Sequence, residues 1–498
     1  MTGRDGTPSN GSAGGSGTTS EDGRTTSEDG RTTSSDGGGD SRPNVLWVFM
    51  DDVNPWMGCY GDDTVETPHI DGLANEGVCF ERMYSTAPVC TPSRSAVVTG
   101  MYQTTIGAHN HYSSFDRFRG QEMTTWDPTH LGVRTVPEIF RSAGYYTFNE
   151  GKNHYNFVDN DEMLYHRSAG VDHKGAETDA GYKGESHTEW YGRDPGQPFF
   201  GQIQLRGGKA DVDDDIERVD PETVEVPPYY PDHPIYRREI AAHYDTIQQM
   251  DRELGGILSA LEDDGLADDT VVWFFADHGM RLPRHKQFCY EGGIRVPAVV
   301  AGPGVPEGQS RSDLVSGIDI GPTSLALAGI DVPPTMEGRN AFDPAFDREF
   351  VVAARDRCDY TIDRIRAVVT DRYKYIRNFM PDRPYLQPQY RDGRDYLELL
   401  KELHASGDLD AVQSRFVGDD RPAEELYDLE ADPHETDNLV GSPEREHREA
   451  LSRLRRLLRE WIDETDDQGQ YPESDAALEA VVERWGEDAT DPVYDRVR

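Results

Sequence analysis

The stretch NVLWVFMDD, residues 44–52, decides the fold. Seven uncharged, mostly apolar residues run into two aspartates, the pattern of a strand buried on both faces of a parallel sheet. Three more runs share the texture: GYYTFN (144–149), PFFGQIQL (198–205) and TVVWFFA (270–276). Between the last two, in HYDTIQQMDRELGGILSALEDDG, Ile247, Met250, Leu254, Ile257, Leu258 and Leu261 recur at helical spacing and Gly265 stops the helix. Buried strands alternating with helices predict an α/β fold with a large mixed, mainly parallel sheet flanked by helices.

The residues just past each strand carry the chemistry. Asp51 and Asp52 come after the first, Lys152 and His154 after the second, Lys209 lies a little past the third, and Asp277 and His278 come after the fourth. Ligands of open α/β sheets gather beyond the carboxyl ends of the strands. Adjacent acids usually mark solvated surface, but here they end buried strands, where an unpaired charge is costly. Asp51, Asp52, Asp277 and His278 form an oxygen-rich set suited to a hard divalent cation rather than to zinc.

A chain of 498 residues exceeds the size at which a single core keeps growing. Residues 1–42 are mostly Gly, Ser, Thr and Asp with an imperfect repeat (TTSEDGR, TTSEDGR, TTSSDGG) and read as a disordered tail. A catalytic domain is expected over 43–348. A smaller α+β subdomain is expected over 349–498, with a hairpin in RIRAVVTDRYKYIRNF (364–379) and a closing helix from Glu444 to about Thr465.

The 50 Lys and Arg stand against 93 Asp and Glu, a formal charge of −43 dispersed along the chain. Nucleic acid and anionic membranes are poor partners for it. The basic residues are nearly all Arg, and the dispersed acids suit a halophile whose salt screens self-repulsion. Lysine persists only at 152, 174, 183, 209, 286, 374 and 401. The five cysteines, odd in number and without CxxC spacing, indicate neither a disulfide framework nor a zinc knuckle. With no apolar leader and no run of 18 apolar residues, a cytoplasmic location is the expectation.

Six separated motifs then fall in order: NVLWVFMDD; TPHIDGLANEGVCFERMYSTAPVCTPSRSAVVTG from Thr67; GKNH from Gly151; ADHG from Ala276; KQFCYEGGIRVP from Lys286; and ELYDLEADPHETDNL from Glu425. Over roughly residues 44–473 the chain resembles the type I, formylglycine-dependent sulfatases of the alkaline-phosphatase superfamily. In texture it is similar to their heparan N-sulfatase-like and arylsulfatase-like branches.

That resemblance implies that Cys90, in Cys-Thr-Pro-Ser-Arg, is the precursor of formylglycine, made by a maturation enzyme. It implies Ca²⁺, ahead of Mg²⁺ or Mn²⁺, on Asp51, Asp52, Asp277, His278 and residue 90. It further implies Arg94 holding the formylglycine hydrate, Lys152 on sulfate, His154 deprotonating the second hydroxyl, and Lys286 gripping sulfate and the leaving oxygen. The expected substrate is a sulfate ester, or a sulfamate, of a sugar or polysaccharide fragment. Related enzymes carry a histidine past the third strand where this chain reads RGGK, so Lys209 falls in its place; His111 and His233 are the other candidates for the leaving-group side. Two alternatives stay open: a phosphonate monoester or phosphodiester hydrolase of the same superfamily, and a non-catalytic sulfated-glycan binder in which Cys90 stays a thiol.

Overall fold

The computed structural model describes residues 42–111, 132–157, 161–168, 189–419 and 421–498. The repeat tail, except for Arg42, lies outside the described residues, as do Lys174 and Lys183. The four expected strands lie side by side at the centre of an eight-stranded sheet. Its order is β10 (Gln309–Arg311), β2 (Gly77–Phe80), β9 (Ala298–Ala301), β7 (Thr270–Ala276), β1 (Asn44–Met50), β6 (Phe199–Gln204), β4 (Tyr146–Glu150) and β5 (Arg167–Ser168). β7, β1, β6, β4 and β5 run parallel, and β9 is antiparallel to both of its neighbours. Every residue of β1 and β7 is buried, which is why neither shows alternating polarity.

The long helix differs from its expected extent. It runs Pro234–Asp263, starting nine residues before His243, with His233 as its N-cap and Gly265 at φ +66° just beyond. Its first turns are rich in charge, so apolar spacing alone misplaces the start. Ile247, Met250, Leu254, Ile257 and Leu261 are buried against the sheet, and Leu258 partly so.

A small sheet of β11 (Val315–Ser316), β3 (Met83–Tyr84) and β8 (Arg295–Val296) sits apart from the large one. Beyond it comes an antiparallel sheet ordered β12 (Val351–Arg355), β13 (Ile365–Val369), β14 (Tyr373–Asn378) and β15 (Glu424–Asp428), in which β13 and β14 form the expected hairpin. The helix Arg445–Glu464 lays Leu451, Leu454, Leu457, Leu458 and Trp461 against it. This helix does not close the chain. Another comes after it at Asp475–Trp485, capped by Ser474, and its single short apolar face gave little periodic signal. By contacts, residues 42–498 make one compact unit. No helix among the described residues is long and apolar enough to cross a membrane.

Candidate active site

The helix Cys90–Thr99 is buried along its whole length although four of its residues are Ser or Thr. Three of these hydroxyls are used in hydrogen bonds: Ser95 donates to Thr91 O and Thr99 to Ser95 O, both at 2.7 Å, while Ser93 donates to Asp277 O at 2.7 Å. The last bond ties the first turn of the helix, and with it Cys90, to the end of β7.

The strand ends converge on that turn. Asp52 adopts a left-handed φ of +62°, a strained conformation for a side-chain-bearing residue. The turn is pinned by Val53 N–H donating to His278 O at 2.9 Å and Asp277 N–H to Met50 O at 3.1 Å. Beyond β6 the backbone of Gly207 and Gly208 lies so close to Asp51 and Asp52 that a Cβ on Gly208 would meet Asp52 O at 2.2 Å. This approach delivers Lys209. Beyond β4, Gly151 (φ +142°) passes Gln204, whose side-chain oxygen accepts from Lys152 N–H at 3.0 Å.

All ten expected site residues are brought to this edge. Lys286 Nζ lies 2.8 Å from Asp52 Oδ1 and 3.4 Å from Cys90 Sγ. Lys209 Nζ lies 2.7 Å from Asp52 and 3.4 Å from Asp51, and Lys152 Nζ lies 2.7 Å from Asp51. Arg94 pairs with Asp51 and, at 3.0 Å, with Asp277; it stacks over Phe49 and donates to Lys152 O at 2.9 Å. Cys90 Sγ is 3.2 Å from His278 Nε2. His278 Nδ1 faces the Gly279 carbonyl at 2.9 Å; a carbonyl only accepts, so in the neutral ring Nε2 turns its lone pair to the site. His154, in a left-handed conformation (φ +54°), is buried with its ring edge-on to His111 at 5.4 Å.

The two alternative histidines separate here. His233 spends Nδ1 capping the long helix and belongs to that helix, not to the site. His111 lines the same cavity as Cys90. This cavity, about 210 Å³, is also lined by Lys209, Lys286, Asp359, Tyr390 and Trp485. The last three had no signal in the sequence, because they come from loops and a helix end far from any strand of the large sheet.

The electrostatics follow from burying so many charges together. Burial opposes ionisation of Cys90, yet Lys152, Lys286 and His278 outweigh it and hold the thiol well below its usual range. Burial likewise opposes ionisation of Asp51 and Asp52, but the surrounding cations keep both well below the ordinary carboxylate value. Asp277 goes the other way: burial, then repulsion from Asp51, pushes it up to about 7. Three buried carboxylates and an imidazole thus share one pocket, and Cys90, Asp277 and His278 have ligand atoms within 4.8 Å of one another. The donor set fits a hard divalent cation, with oxygen ligands dominant.

Comparisons with known proteins point to one family. The Sulfatase family model matches residues 43–330, and the model for the C-terminal part of N-sulphoglucosamine sulphohydrolase matches residues 278–385. An ulvan-active sulfatase from Formosa agariphila is 32% identical over 91% of this chain and 79% of its own length. Human N-sulphoglucosamine sulphohydrolase is 26% identical over 86% of this chain and 91% of its own. Among solved structures, a phosphonate monoester hydrolase from Silicibacter pomeroyi shares the fold, with a TM-score of 0.61 and 17% identity over 86% of this chain and 96% of that one.

Proposed function

The chain belongs to the sulfatase family, and from that premise we propose that it hydrolyses a sulfate ester or sulfamate on a sugar or oligosaccharide, with residue 90 as formylglycine and Ca²⁺ as the cation. The observation that carries this is the setting of Cys90: first turn of a buried helix, flanked by the Thr-Pro-Ser-Arg signal, its sulfur within 3.4 Å of both His278 and Lys286. A plain structural cysteine needs no such ring of cations. The glycan class is supported by relatives named for ulvan and for N-sulphoglucosamine.

Asp51, Asp52, Asp277 and His278 would hold the cation, which supplies Lewis-acid polarisation of a sulfate oxygen. Formylglycine supplies, as its hydrate, one oxygen to attack sulfur and a second hydroxyl whose deprotonation releases sulfate. The chain's own residues do the rest. Lys152, Lys209 and Lys286 surround the sulfur position with compact charges that bind sulfate oxygens and stabilise the extra negative charge of the transition state. Arg94, fixed by two carboxylates, a carbonyl and a phenyl ring, orients residue 90 rather than searching for it. His154 takes the proton of the second hydroxyl.

The test is the mass of the tryptic peptide carrying residue 90, from protein made with a maturation enzyme, followed by assays on 4-nitrophenyl sulfate and on a phenyl phosphonate ester. Formylglycine together with a preference for the sulfate supports the reading. A preference for the phosphonate, especially with Mn²⁺, turns it to the hydrolase whose fold is shared. An unmodified cysteine in a chain that still binds sulfated oligosaccharides turns it to a binding protein.

A further inference from the structure

A sugar alkoxide is a poor leaving group, so cleavage of its S–O bond needs a proton donor on the side opposite the nucleophile. Most groups lining the cavity beside Cys90 are already committed. Lys209 and Lys286 sit beside Asp51 and Asp52, where the mechanism above uses their charges on the sulfate oxygens.

His111 is differently placed. Its Nδ1 lies 2.9 Å from Asp359 Oδ1, and both residues line the cavity that holds Cys90 and Lys286. The pair is held from behind by one arginine. The Arg357 guanidinium donates to His111 O at 3.1 Å and to Asp359 O at 2.6 Å, and is itself clamped by Glu473 at 2.7 and 2.8 Å. The Arg357 carbonyl accepts from His111 N–H at 2.8 Å. Asp359 sits at a left-handed φ of +51°, a cost that fixes its carboxylate against the imidazole. A carboxylate on Nδ1 fixes the tautomer and ring orientation and stabilises the charged imidazolium, so proton exchange falls to Nε2.

We propose that His111, oriented by Asp359, is the general acid that protonates the leaving-group oxygen. As the S–O bond breaks, its electron pair stays on that oxygen and takes the proton from His111 Nε2, while the residue 90 oxygen completes its bond to sulfur. The imidazole is left neutral, still donating Nδ1–H to Asp359, and recovers its proton from water. His111 is then a catalytic residue and Asp359 a positioning one. This inference rests on the sulfatase reading above.

The test uses the full chain and a series of substituted phenyl sulfates, whose phenols differ in pKa while sugar contacts play no part. For His111→Ala the loss in kcat/KM should grow along the series, from under about 10-fold for nitrophenol to the order of 10²–10⁴-fold for the least acidic phenols. Asp359→Asn should steepen the dependence in the same direction by less. A uniform loss across the series would overturn the assignment. His111→Gln, closer in size, serves if the alanine variant unfolds. A second readout needs no turnover: in the Cys90→Ala chain, Asp359→Asn should move the His111 ring away from the Nδ1–H tautomer, as read from its ring nitrogen chemical shifts by NMR. An unchanged tautomer would remove Asp359 from the proposal. A wild-type chain with formylglycine that is inert on the whole series would bring down the sulfatase reading and this one with it. An active chain with parallel losses would bring down this one alone.

Discussion

At Lys286 one ammonium touches both Asp52, a proposed metal ligand, and the sulfur of Cys90. Arginine would keep the charge but impose a planar fork longer than the space between those atoms. Lys286→Arg and Lys286→Met are therefore both expected to lower kcat/KM by about 10²–10³-fold, a loss read on 4-nitrophenyl sulfate and not restored by the retained charge. Asp277 gives a pH dependence. Burial and Asp51 raise its pKa to about 7, so without metal it holds a proton to near neutrality, whereas a cation binds its ionised form. Ca²⁺ affinity should rise as pH increases through about 7, and the increase in Tm on adding Ca²⁺ should be larger at pH 8 than at pH 5.5. An increase independent of pH would remove Asp277 from the ligands. Residues such as these were legible because they directly succeed buried strands or belong to contiguous motifs. Asp359, Tyr390 and Trp485 were not, since loops and a helix end that fold back over the site gain meaning only from tertiary placement.

At the scale of the element, the site depends on one loop continuing the register of its strand. β6 pairs parallel with β1 from Val45 to Phe49, and past its end Leu205 N–H donates to Phe49 O and Gly208 N–H to Asp51 O, both at 2.9 Å. Two glycines make that approach possible, and the second also abuts the ring of His243. Gly208→Ala should destabilise the chain by about 1–3 kcal/mol through overpacking and displace Lys209 from Asp52. Thermal unfolding would register the first effect, and a lowered affinity for sulfate, measured by calorimetry, the second. A variant with unchanged Tm would mean that the loop lies farther from β1 than the 2.2 Å contact requires. The strand itself was readable from PFFGQIQL; the loop was not, because RGGK carries no signal of how closely two backbones pass.

For the whole molecule, the dominant fact is the charge of −43. Two of its buried cations each bridge a pair of acids: Arg366 bridges Asp356 at 3.0 Å and Asp467 at 2.8 Å, and Lys374 bridges Glu291 at 2.7 Å and Glu435 at 2.8 Å. The surplus acid is therefore spread over the exterior, where repulsion is long-ranged and screened by salt. The screening length falls from about 10 Å at 0.1 M to about 3 Å at 1 M, so Tm at pH 7 should rise steeply over that range. Acid alters the balance in two opposing ways. Protonating surface carboxylates relieves the repulsion, which stabilises the low-salt form as pH falls toward the isoelectric point of 4.6. His243 and His285 are buried neutral, held by burial at about 4 and about 3. An unfolded chain protonates both near pH 6.5, so stability is lost as pH falls from 6.5 toward 4, by about 3 kcal/mol for His243 alone. At low salt the repulsion governs and the two effects offset. At molar salt the repulsion is screened and the histidine cost is set only against the buried carboxyls that take up a proton in the folded chain first, Asp277 at about 7 and Asp251 at about 6, which salt leaves in place. Measured by urea unfolding, the loss between pH 6.5 and 4.5 should then be larger in 2 M NaCl than in 0.1 M NaCl. The reverse order would mean that surface repulsion is not what salt relieves in this protein.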